Sequence, residues 1–253
     1  MAVELEQLLT YTDELLEPGR FSDYCPNGLQ VQGKSRVERL VTGVTASQAL
    51  LDAAVESDAD AVLVHHGYFW RGEDPTVRGM KRRRLKTLLL NDVSLLAYHL
   101  PLDAHPELGN NARLGQLLCL EHLVSLEPHK NDGLGNLGRL PVPQPVSELL
   151  SQLEQLTGRA PLHIGNPEDV VETIAWCTGA AQSYIDAAVG AGADVFITGE
   201  ASEPTVHVAR EEGIHFVAAG HHATERYGVQ ALGEHLAQRF SLEHLFIDID
   251  NPV

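Results

Sequence analysis

Apolar residues recur along the chain with two different periods, and segments of the two kinds alternate. Residues 4–16 and 47–59 carry apolar side chains at helical spacing, whereas residues 37–45 and 60–67 are apolar runs typical of buried strands. The alternation returns over residues 172–252, where four predicted strands enclose three predicted helices. Strands that alternate with helices predict an α/β protein with mixed, mostly parallel sheets.

One stretch rich in glycine and proline, residues 127–146, interrupts this pattern. Such a composition is typical of loops and linkers. We therefore predict two α/β lobes, residues 1–126 and residues 147–253, joined by a linker at residues 127–146.

The two predicted lobes share an internal repeat. Residues 47–67 are similar to residues 181–201 at an offset of 134. The identical positions include Gln48 and Gln182, the DAAV tetrapeptides at 52–55 and 186–189, and Ala59-Asp60 and Ala193-Asp194. Each segment is a predicted helix followed by a buried strand; the first strand ends in His65-His66 and the second in Gly199-Glu200. The repeat indicates that the lobes arose by duplication.

A second offset, of 122 residues, places chemistry at matched positions in the two lobes. It aligns His99 with His221 and Asp103 with Glu225. In each lobe a predicted strand delivers a histidine, and an acidic residue follows four positions later. Because ligands of open α/β sheets bind beyond the carboxyl ends of the strands, we expect the functional site there.

Five side chains at these strand ends form a mixed imidazole and carboxylate set: His65, His66, Asp103, His221 and Glu225. Such a set suits Zn, Mn, Fe, Co or Ni, and the lack of a cysteine ligand disfavours a closed structural zinc site. Adjacent histidines point in different directions and can serve different ions, while a carboxylate can bridge two. The set therefore predicts two divalent ions about 3.5–4 Å apart, with open positions for water. Any one histidine alone would be read as a half-buried structural side chain.

Charge narrows the range of partners. With 18 Lys and Arg against 35 Asp and Glu, the net charge is −17, which makes nucleic acid an unlikely partner because such binding needs a basic surface. Residues 78–86 are a local basic exception. They are interpreted as the solvated face of a helix or, alternatively, as a basic rim for a phosphate-bearing substrate or a nucleic-acid strand.

Three further features concern the compartment. There is no run of about 18 apolar residues, so no membrane helix is expected. The acidic N-terminal segment lacks the basic and apolar regions of a signal peptide. The cysteines, Cys25, Cys119 and Cys177, form no CxxC pair and are interpreted as buried thiols in a reducing compartment. Together these features predict a cytoplasmic protein.

Several motifs in combination resemble the Nif-three-like family, whose members are also called type-two GTP cyclohydrolase I homologues. The motifs are SDYCPNGLQVQG, VHHGYFWRG, HLPLDAHPELGNN, TGEASE and AAGHHATER, and the similarity is to the short bacterial branch that lacks an inserted domain. The resemblance implies a two-lobed α/β subunit, a dinuclear metal centre between the lobes and a toroidal homohexamer built as a trimer of dimers. Its ligand pattern falls on the same five residues, with Glu225 as the bridge.

Three classes of function follow from these features. The first is a metal-dependent hydrolase acting on a nucleotide such as GTP, in which His99 or His222 moves the proton and the basic segment 78–86 or Arg226 holds phosphate. The second is a metal-binding protein without catalysis, which delivers or stores metal or serves as a scaffold. The third, a DNA-associated ring, is suggested only by the ring shape that the resemblance implies, and the negative charge argues against it.

Overall fold

The computed structural model describes residues 2–126 and 133–253 as a mixed α/β protein. The helices are α1 (Leu5–Leu16), α2 (Gln48–Glu56), α3 (Gly79–Leu90), α4 (Leu100–Ala104), α5 (Asn110–Leu117), α6 (Val146–Thr157), α7 (Ile185–Gly190), α8 (Glu203–Glu212), α9 (His221–Thr224) and α10 (Arg226–Phe240). The strands are β1 (Val3–Glu4), β2 (Gly28–Val31), β3 (Arg36–Val37), β4 (Arg39–Thr45), β5 (Ala61–His66), β6 (Ser94–Ala97), β7 (Glu121–Ser125), β8 (Asn136–Pro145), β9 (Leu162–Ile164), β10 (Val170–Trp176), β11 (Val195–Thr198), β12 (His215–Ala218) and β13 (Glu243–Phe246).

The chain divides into two compact units. The first unit comprises Met1–Leu102 and Gly228–Asp250, and the second comprises Asp103–Tyr227 and Asn251–Val253. These boundaries differ from the lobes drawn on the sequence at 1–126 and 147–253, because the segment that includes most of α10 and all of β13 belongs to the first unit.

The first unit is built on a five-stranded sheet with the order β13-β4-β5-β6-β2. Its first four strands run parallel and β2 is antiparallel to β6, so this sheet is mostly parallel, as predicted. Helix α2 begins where the Ser47 hydroxyl accepts the N–H of Leu50, which is the N-cap arrangement that the sequence indicates. The helix buries Leu50, Leu51 and Ala54 in one apolar core with residues of β4, β5 and β6.

The second unit holds a six-stranded sheet with the order β7-β8-β10-β11-β12-β9. Only β10, β11 and β12 are parallel to one another, while β7, β8 and β9 join by antiparallel pairing. In each unit three parallel strands therefore form the centre, β4-β5-β6 or β10-β11-β12, and the third of them carries an antiparallel strand at its outer side. This shared arrangement agrees with the internal repeat.

The segment predicted as a linker, residues 127–146, contains a strand. Residues 127–132 lie outside the described residues, but Asn136–Pro145 form strand β8. The prolines of β8 all follow Arg139, the residue at which the pairing with β7 ends. Among residues 2–126 and 133–253, β8 beyond Arg139 has a partner strand only on its β10 side. A strand with one open side tolerates proline because no N–H is needed there.

The repeated Ala-Asp dipeptide has a definite structural role. In the first unit, Asp60 Oδ2 accepts the backbone N–H groups of Glu38 (2.9 Å) and Arg39 (3.1 Å). The Asp60 N–H donates to the Arg39 carbonyl, and the Asp60 carbonyl accepts from Ser94. One aspartate thus joins the beginnings of three adjacent strands, β4, β5 and β6.

The second unit repeats these bonds. Asp194 Oδ2 accepts the N–H groups of Glu172 (2.9 Å) and Thr173 (2.8 Å). The Asp194 N–H donates to the Thr173 carbonyl, and the Asp194 carbonyl accepts from His215. Equivalent bonds at aligned positions are what a duplicated βαβαβ unit requires, and they support the duplication more strongly than the shared DAAV letters do.

Two further properties bear on the sequence-based expectations. Among the helices of the described residues, none has both the length and the apolar character that crossing a membrane would require. All three cysteines are thiols without a disulfide, but only Cys25 and Cys177 are buried. Cys119 is exposed, since it directly follows Leu118 at the end of α5 in a left-handed turn with φ 55°; its predicted burial is wrong.

Candidate metal centre

Three histidines of the first unit form a cluster, called here the histidine cluster: His65, His66 and His99. Strand β5 ends in His65 and His66, and His99 follows the neighbouring parallel strand β6. The carboxyl ends of these strands therefore bring the rings together, with centroids 4.6 Å apart for His65 and His66 and 5.0 Å apart for His65 and His99. One nitrogen from each ring lies within 4.8 Å of the other two, so the three rings can hold a metal ion.

The ring orientations in this cluster are fixed by oxygen atoms behind it. His65 is fully buried, and its Nδ1 lies 3.0 Å from the Tyr98 carbonyl oxygen. Since a carbonyl only accepts, Nδ1 carries the proton and Nε2 keeps its lone pair. His66 Nδ1 lies 3.2 Å from the Thr45 hydroxyl. Orientation of the second ring nitrogen by an oxygen is the usual arrangement behind metal-bound histidine.

Asp23 orients His99 in the same way. Its Oδ1 lies 2.7 Å from His99 Nδ1, and Asn27 Nδ2 donates to its Oδ2. Backbone N–H groups of Tyr24 and Leu100 complete its bonds. Burial opposes ionisation of this carboxyl, but the hydrogen bonds from His99 and Asn27 outweigh it and lower the pKa of Asp23 to about 2. The ionised Asp23 accepts the Nδ1 proton, which leaves the His99 Nε2 lone pair for a metal ion or a proton.

Cys25 lies beside this pair but is a poor ligand. It is close enough to Asp23 and His99 for all three to surround an ion. Burial, reinforced by the charge of Asp23, raises the pKa of the Cys25 thiol to about 12, whereas metal binding needs the thiolate. Both Asp23 oxygens already accept two hydrogen bonds each. Asp23 therefore orients His99, and these three residues are not the primary metal site.

Asp103, one predicted ligand of the second unit, is held by amides and a hydroxyl. Asn110 Nδ2 donates to Asp103 Oδ1 at 2.9 Å, and the Thr178 hydroxyl lies 3.4 Å from the same oxygen. Asn111 donates to the Asp103 carbonyl and accepts the N–H of Thr178. The α5 N-cap is Gly109, so Asn110 and Asn111 serve this carboxylate and its loop and do not cap the helix.

His221 and Glu225 lie one helical turn apart, as their spacing predicts. His221 Nε2 is 3.2 Å from Glu225 Oε2, and His221 Nδ1 is 2.7 Å from Glu200 Oε1. Burial disfavours the charged imidazolium, but the two carboxylates outweigh burial and raise the pKa of His221 to about 9. Glu225 is 3% exposed, and one of its oxygens is within 4.8 Å of an Asp103 oxygen. We call Asp103, His221 and Glu225 the carboxylate cluster.

Two glycines allow the carboxylate cluster to form. Gly179 has φ +72°, and a Cβ at this position would overlap Glu225 Oε1 and stand 3.4 Å from His221 Nε2. At Gly199 a Cβ would stand 2.6 Å from both the Gly179 carbonyl oxygen and His221 Cα. At Gly199 these neighbours are backbone atoms, so that position needs glycine, whereas at Gly179 the left-handed φ and the Glu225 carboxylate both favour glycine.

Each unit therefore gathers part of the predicted set, His65 and His66 in the first unit and Asp103, His221 and Glu225 in the second. His99, predicted to move protons, lies within the histidine cluster. His222 is buried, and among residues 2–126 and 133–253 it joins none of the groups able to hold a metal. Sequence patterns did not reveal Asp23 as an orienting residue, and they placed Glu200 only at a strand end. Asp23 precedes His99 by 76 residues, so no local spacing could connect them.

Comparisons with known proteins agree with one another. The model of the family described as Duf34/NIF3 (NGG1p interacting factor 3) matches residues 3–252. A protein of Pseudomonas aeruginosa named "GTP cyclohydrolase 1 type 2 homolog" is 59% identical over 254 residues, which cover 100% of both chains. A protein of the same name from Escherichia coli strain K12 is 58% identical over 250 residues, covering 98% of each chain.

Solved structures extend the similarity to the fold. A structure described as protein ybgI of unknown function has a TM-score of 0.94 and 56% identity, with 99% of this chain and 100% of that chain covered. The structure of TTHA1606 from Thermus thermophilus has a TM-score of 0.90 and 37% identity, with the same coverage. The similarity thus spans both units of the chain.

Proposed function

The chain belongs to the Duf34/NIF3 family, and on that premise we propose that it binds two divalent metal ions and acts as a metal-dependent hydrolase on a nucleotide. The proposed metal ligands are His65, His66, Asp103, His221 and Glu225. Candidate ions are Zn, Fe, Mn, Co and Ni, because imidazole and carboxylate ligands suit all of them. The proposal that the protein binds metal rests on the histidine cluster and the carboxylate cluster.

One observation carries the proposal: four histidines at the strand ends each hold Nδ1 on an oxygen atom. The partners are the Tyr98 carbonyl for His65, the Thr45 hydroxyl for His66, Asp23 for His99 and Glu200 for His221. Histidines that only fill a core have no reason to share one orientation. Metal-binding histidines do, because an oxygen behind the ring fixes the nitrogen that faces the ion.

The donor chemistry fits a cation. Glu225 and Glu200 stabilise positive charge on His221 strongly enough to hold its pKa at about 9, even though burial opposes that charge. A divalent ion would supply positive charge there in place of the proton, and this exchange is the usual competition at metal-binding histidines. The nearly buried Asp103 and Glu225 contribute two carboxylates, which likewise favour a cation in a site of low dielectric constant.

Bound divalent ions lower the pKa of water and stabilise negative charge that develops on an attacked group. The chain's own residues would supply the remaining functions. His99, with Nδ1 bonded to Asp23, presents Nε2 as a proton acceptor. Asn110 and Thr178 hold Asp103 in place, and Gly179 leaves the space that Glu225 occupies.

The nucleotide in this proposal is supported by two observations. Relatives at 58–59% identity carry the name GTP cyclohydrolase 1 type 2 homolog. In addition, α3 presents Arg82, Arg83 and Lys86 as exposed cations on a chain of net charge −17. Guanidinium groups bind phosphate through paired hydrogen bonds, so this helix is suited to a phosphate group.

Elemental analysis tests the metal site. After saturation with metal and desalting, we expect two ions per wild-type chain and fewer in His65→Ala and Glu225→Ala. His207→Ala is a matched control, since His207 is exposed, pairs with its helical neighbour Glu203 and joins no group able to hold a metal among the described residues. Fewer than one ion per wild-type chain, or equal content in all variants, would overturn the proposed site.

Activity is tested separately on protein of known metal content. We expect release of formate or phosphate from GTP, and its loss in Glu225→Ala. Full metal occupancy without turnover of any nucleotide would contradict the hydrolase and favour a metal-delivery or scaffold protein.

We further propose that the protein is a cytoplasmic homohexamer with ring shape, as the family resemblance implies. Light scattering on purified protein measures its mass. A mass near that of the 27.6 kDa chain would contradict the hexamer.

A further inference from the structure

Three aromatic residues belong to the two segments that contact the histidine cluster, and two of the three are exposed. We call them the aromatic rim: Tyr24, Phe69 and Trp70. Tyr24 is 58% exposed and Phe69 is 39% exposed, while Trp70 is half-buried. Large aromatic side chains that are exposed next to one another beside a polar cluster are typical of ligand sites, because a contiguous apolar surface is unfavourable in water unless a ligand covers it.

Two rings of the aromatic rim, those of Trp70 and Tyr24, pack on the histidines. The Trp70 ring lies 5.1 Å from the His99 ring, edge to face, and 6.0 Å from the His66 ring. The Tyr24 ring lies 6.5 Å from the His99 ring. The backbone N–H of Arg71 donates to the Tyr24 carbonyl at 2.7 Å, which ties the segment after Trp70 to the segment that contains Tyr24.

Backbone strain occurs within the same segment. Phe69 has φ 65°, in the left-handed region that a bulky residue rarely adopts. Strain of this kind persists where the surrounding structure enforces it, and it is concentrated at functional sites. Here it places Phe69 beside Lys81, whose ammonium group lies 5.2 Å from the ring centroid.

Positive charge adjoins the rim. Residues 78–86 contain six of the 18 lysines and arginines in the chain, and Lys81 connects this segment to the loop that carries Phe69. Its ammonium group pairs with Glu73 and donates to the Asp74 carbonyl. An aromatic surface next to a basic surface is the combination that binds a planar base and its phosphate together.

We propose that Trp70, with Tyr24 and Phe69 beside it, stacks on the base of a phosphorylated nucleoside held by the histidine-cluster side of the first unit. This inference deepens the proposed function, because it assigns the residue that selects a nucleotide over other phosphorylated compounds. The same chemistry, a base with phosphate, occurs in a free nucleotide and at the end of a single-stranded oligonucleotide. The free nucleotide is the source we favour, since a chain of charge −17 repels a long polyanion.

Intrinsic fluorescence tests stacking without any need for turnover. The chain has two tryptophans, and Trp176 is fully buried, so a ligand that stacks on the rim quenches Trp70 selectively. The probes are GMP, inorganic triphosphate and a short single-stranded oligonucleotide, each titrated into metal-loaded full-length protein. We expect GMP to quench the emission and inorganic triphosphate to leave it unchanged.

Variants test whether Trp70 is the residue that stacks on the base. Trp70→Leu should weaken GMP binding, measured by calorimetry, by roughly 5- to 150-fold, the range that loss of one stacking contact gives. Trp70→Phe keeps a stacking face and should retain most of the affinity. Phe240→Leu is the control, because that ring packs on Tyr11 and not on the histidines. Circular dichroism and metal content establish that each variant is folded.

The outcomes separate this inference from the proposed function. If the protein binds metal but GMP neither quenches Trp70 nor binds more weakly to Trp70→Leu, stacking is overturned while a hydrolase of another substrate remains. If GMP quenches Trp70 and Trp70→Leu weakens its binding although no metal is bound, stacking holds and the metal-dependent function fails. Tighter binding of the oligonucleotide than of GMP would support the rim but overturn the free nucleotide as its source.

Discussion

Gly179→Ala is the substitution for which the structure makes the sharpest prediction. Gly179 follows β10, and its carbonyl accepts the N–H of Gly199 at 2.8 Å. It has φ +72°, and a Cβ there would overlap Glu225 Oε1 and stand 3.2 Å from Glu225 Cδ. The substitution therefore presses a methyl group against a proposed metal ligand without altering any ligand itself.

The free-energy cost of Gly179→Ala has two parts, which a substitution at a second glycine can separate. An alanine in the left-handed region costs about 1 kcal/mol relative to glycine. Crowding a packed interior costs about 1–3 kcal/mol more, because the nearly buried Glu225 must withdraw its carboxylate by about 1 Å to restore van der Waals contact. Gly192 has φ +71° in the same unit, and a Cβ there has nothing within 4 Å. Gly192→Ala therefore has only the cost of the left-handed backbone conformation.

Two measurements on the same pair of variants test this expectation. Urea unfolding of metal-free protein should place Gly179→Ala about 2–4 kcal/mol below wild type and Gly192→Ala about 1 kcal/mol below it. Calorimetric titration with a divalent ion should show at least a tenfold loss of affinity for Gly179→Ala, since metal sites tolerate displacements of only about 0.2 Å. Gly192→Ala should bind metal as wild type does.

Agreement of the two alanine variants in both stability and metal affinity would refute this expectation. Equal stability would mean that Glu225 yields without cost, and equal affinity would mean that its carboxylate is not where a metal ion binds. Loss of stability with unchanged affinity would leave the packing argument intact and remove Glu225 from the ligand set.

One further prediction concerns Asp60, which joins three strands, and another concerns Asp23 and Glu200, which orient His99 and His221. Burial opposes ionisation of Asp60, but hydrogen bonds from Lys34 and from the backbone of Glu38 and Arg39 lower its pKa below the usual 3.8. The ionised Asp60 therefore stabilises the fold above pH 3.8, and this stabilisation is lost as pH falls through the lower folded-state pKa. Asp60→Asn should cost about 1–2 kcal/mol at pH 7 in urea unfolding, with the difference from wild type narrowing below about pH 4; a difference that stays constant down to pH 3 would contradict this origin. Asp23→Asn and Glu200→Gln should each lower metal affinity about 10- to 100-fold by releasing a histidine ring. Asn166→Asp, on an exposed turn, serves as their control, and unchanged affinity in both variants would show that these carboxylates do not orient ligands.

Much of the architecture could be predicted because it depends on local periodicity. Helices α1 and α2, and strands β4 and β5, begin and end within a few residues of the predicted positions, since the spacing of apolar residues specifies them locally. The matched Ala-Asp positions of the repeat were visible as well. Their bonding pattern was not, because each aspartate bonds with the backbones of two other strands.

Strand β8 shows why local composition misled. Its Gly/Pro-rich sequence is typical of a loop, and only the partners decide otherwise: β10 pairs along both ends of it, while β7 pairs as far as Arg139. Proline is excluded from strands by missing hydrogen bonds and not by the extended conformation itself. Whether a given N–H needs a partner is a property of the assembled sheet.

The sequence by itself determined the candidate chemistry: histidines and acids at strand ends, matched between two halves, and a basic segment on an acidic chain. Residue type and order are enough for this, because strand ends follow from periodicity and ligand preference follows from the side chain. Only the tertiary structure decided which nitrogen each histidine presents, since Asp23, the Tyr98 carbonyl and Glu200 reach the rings through contacts of strand neighbours and loops. It also explains why glycine is favoured at position 179, because only packing reveals that Glu225 occupies the space of its missing side chain.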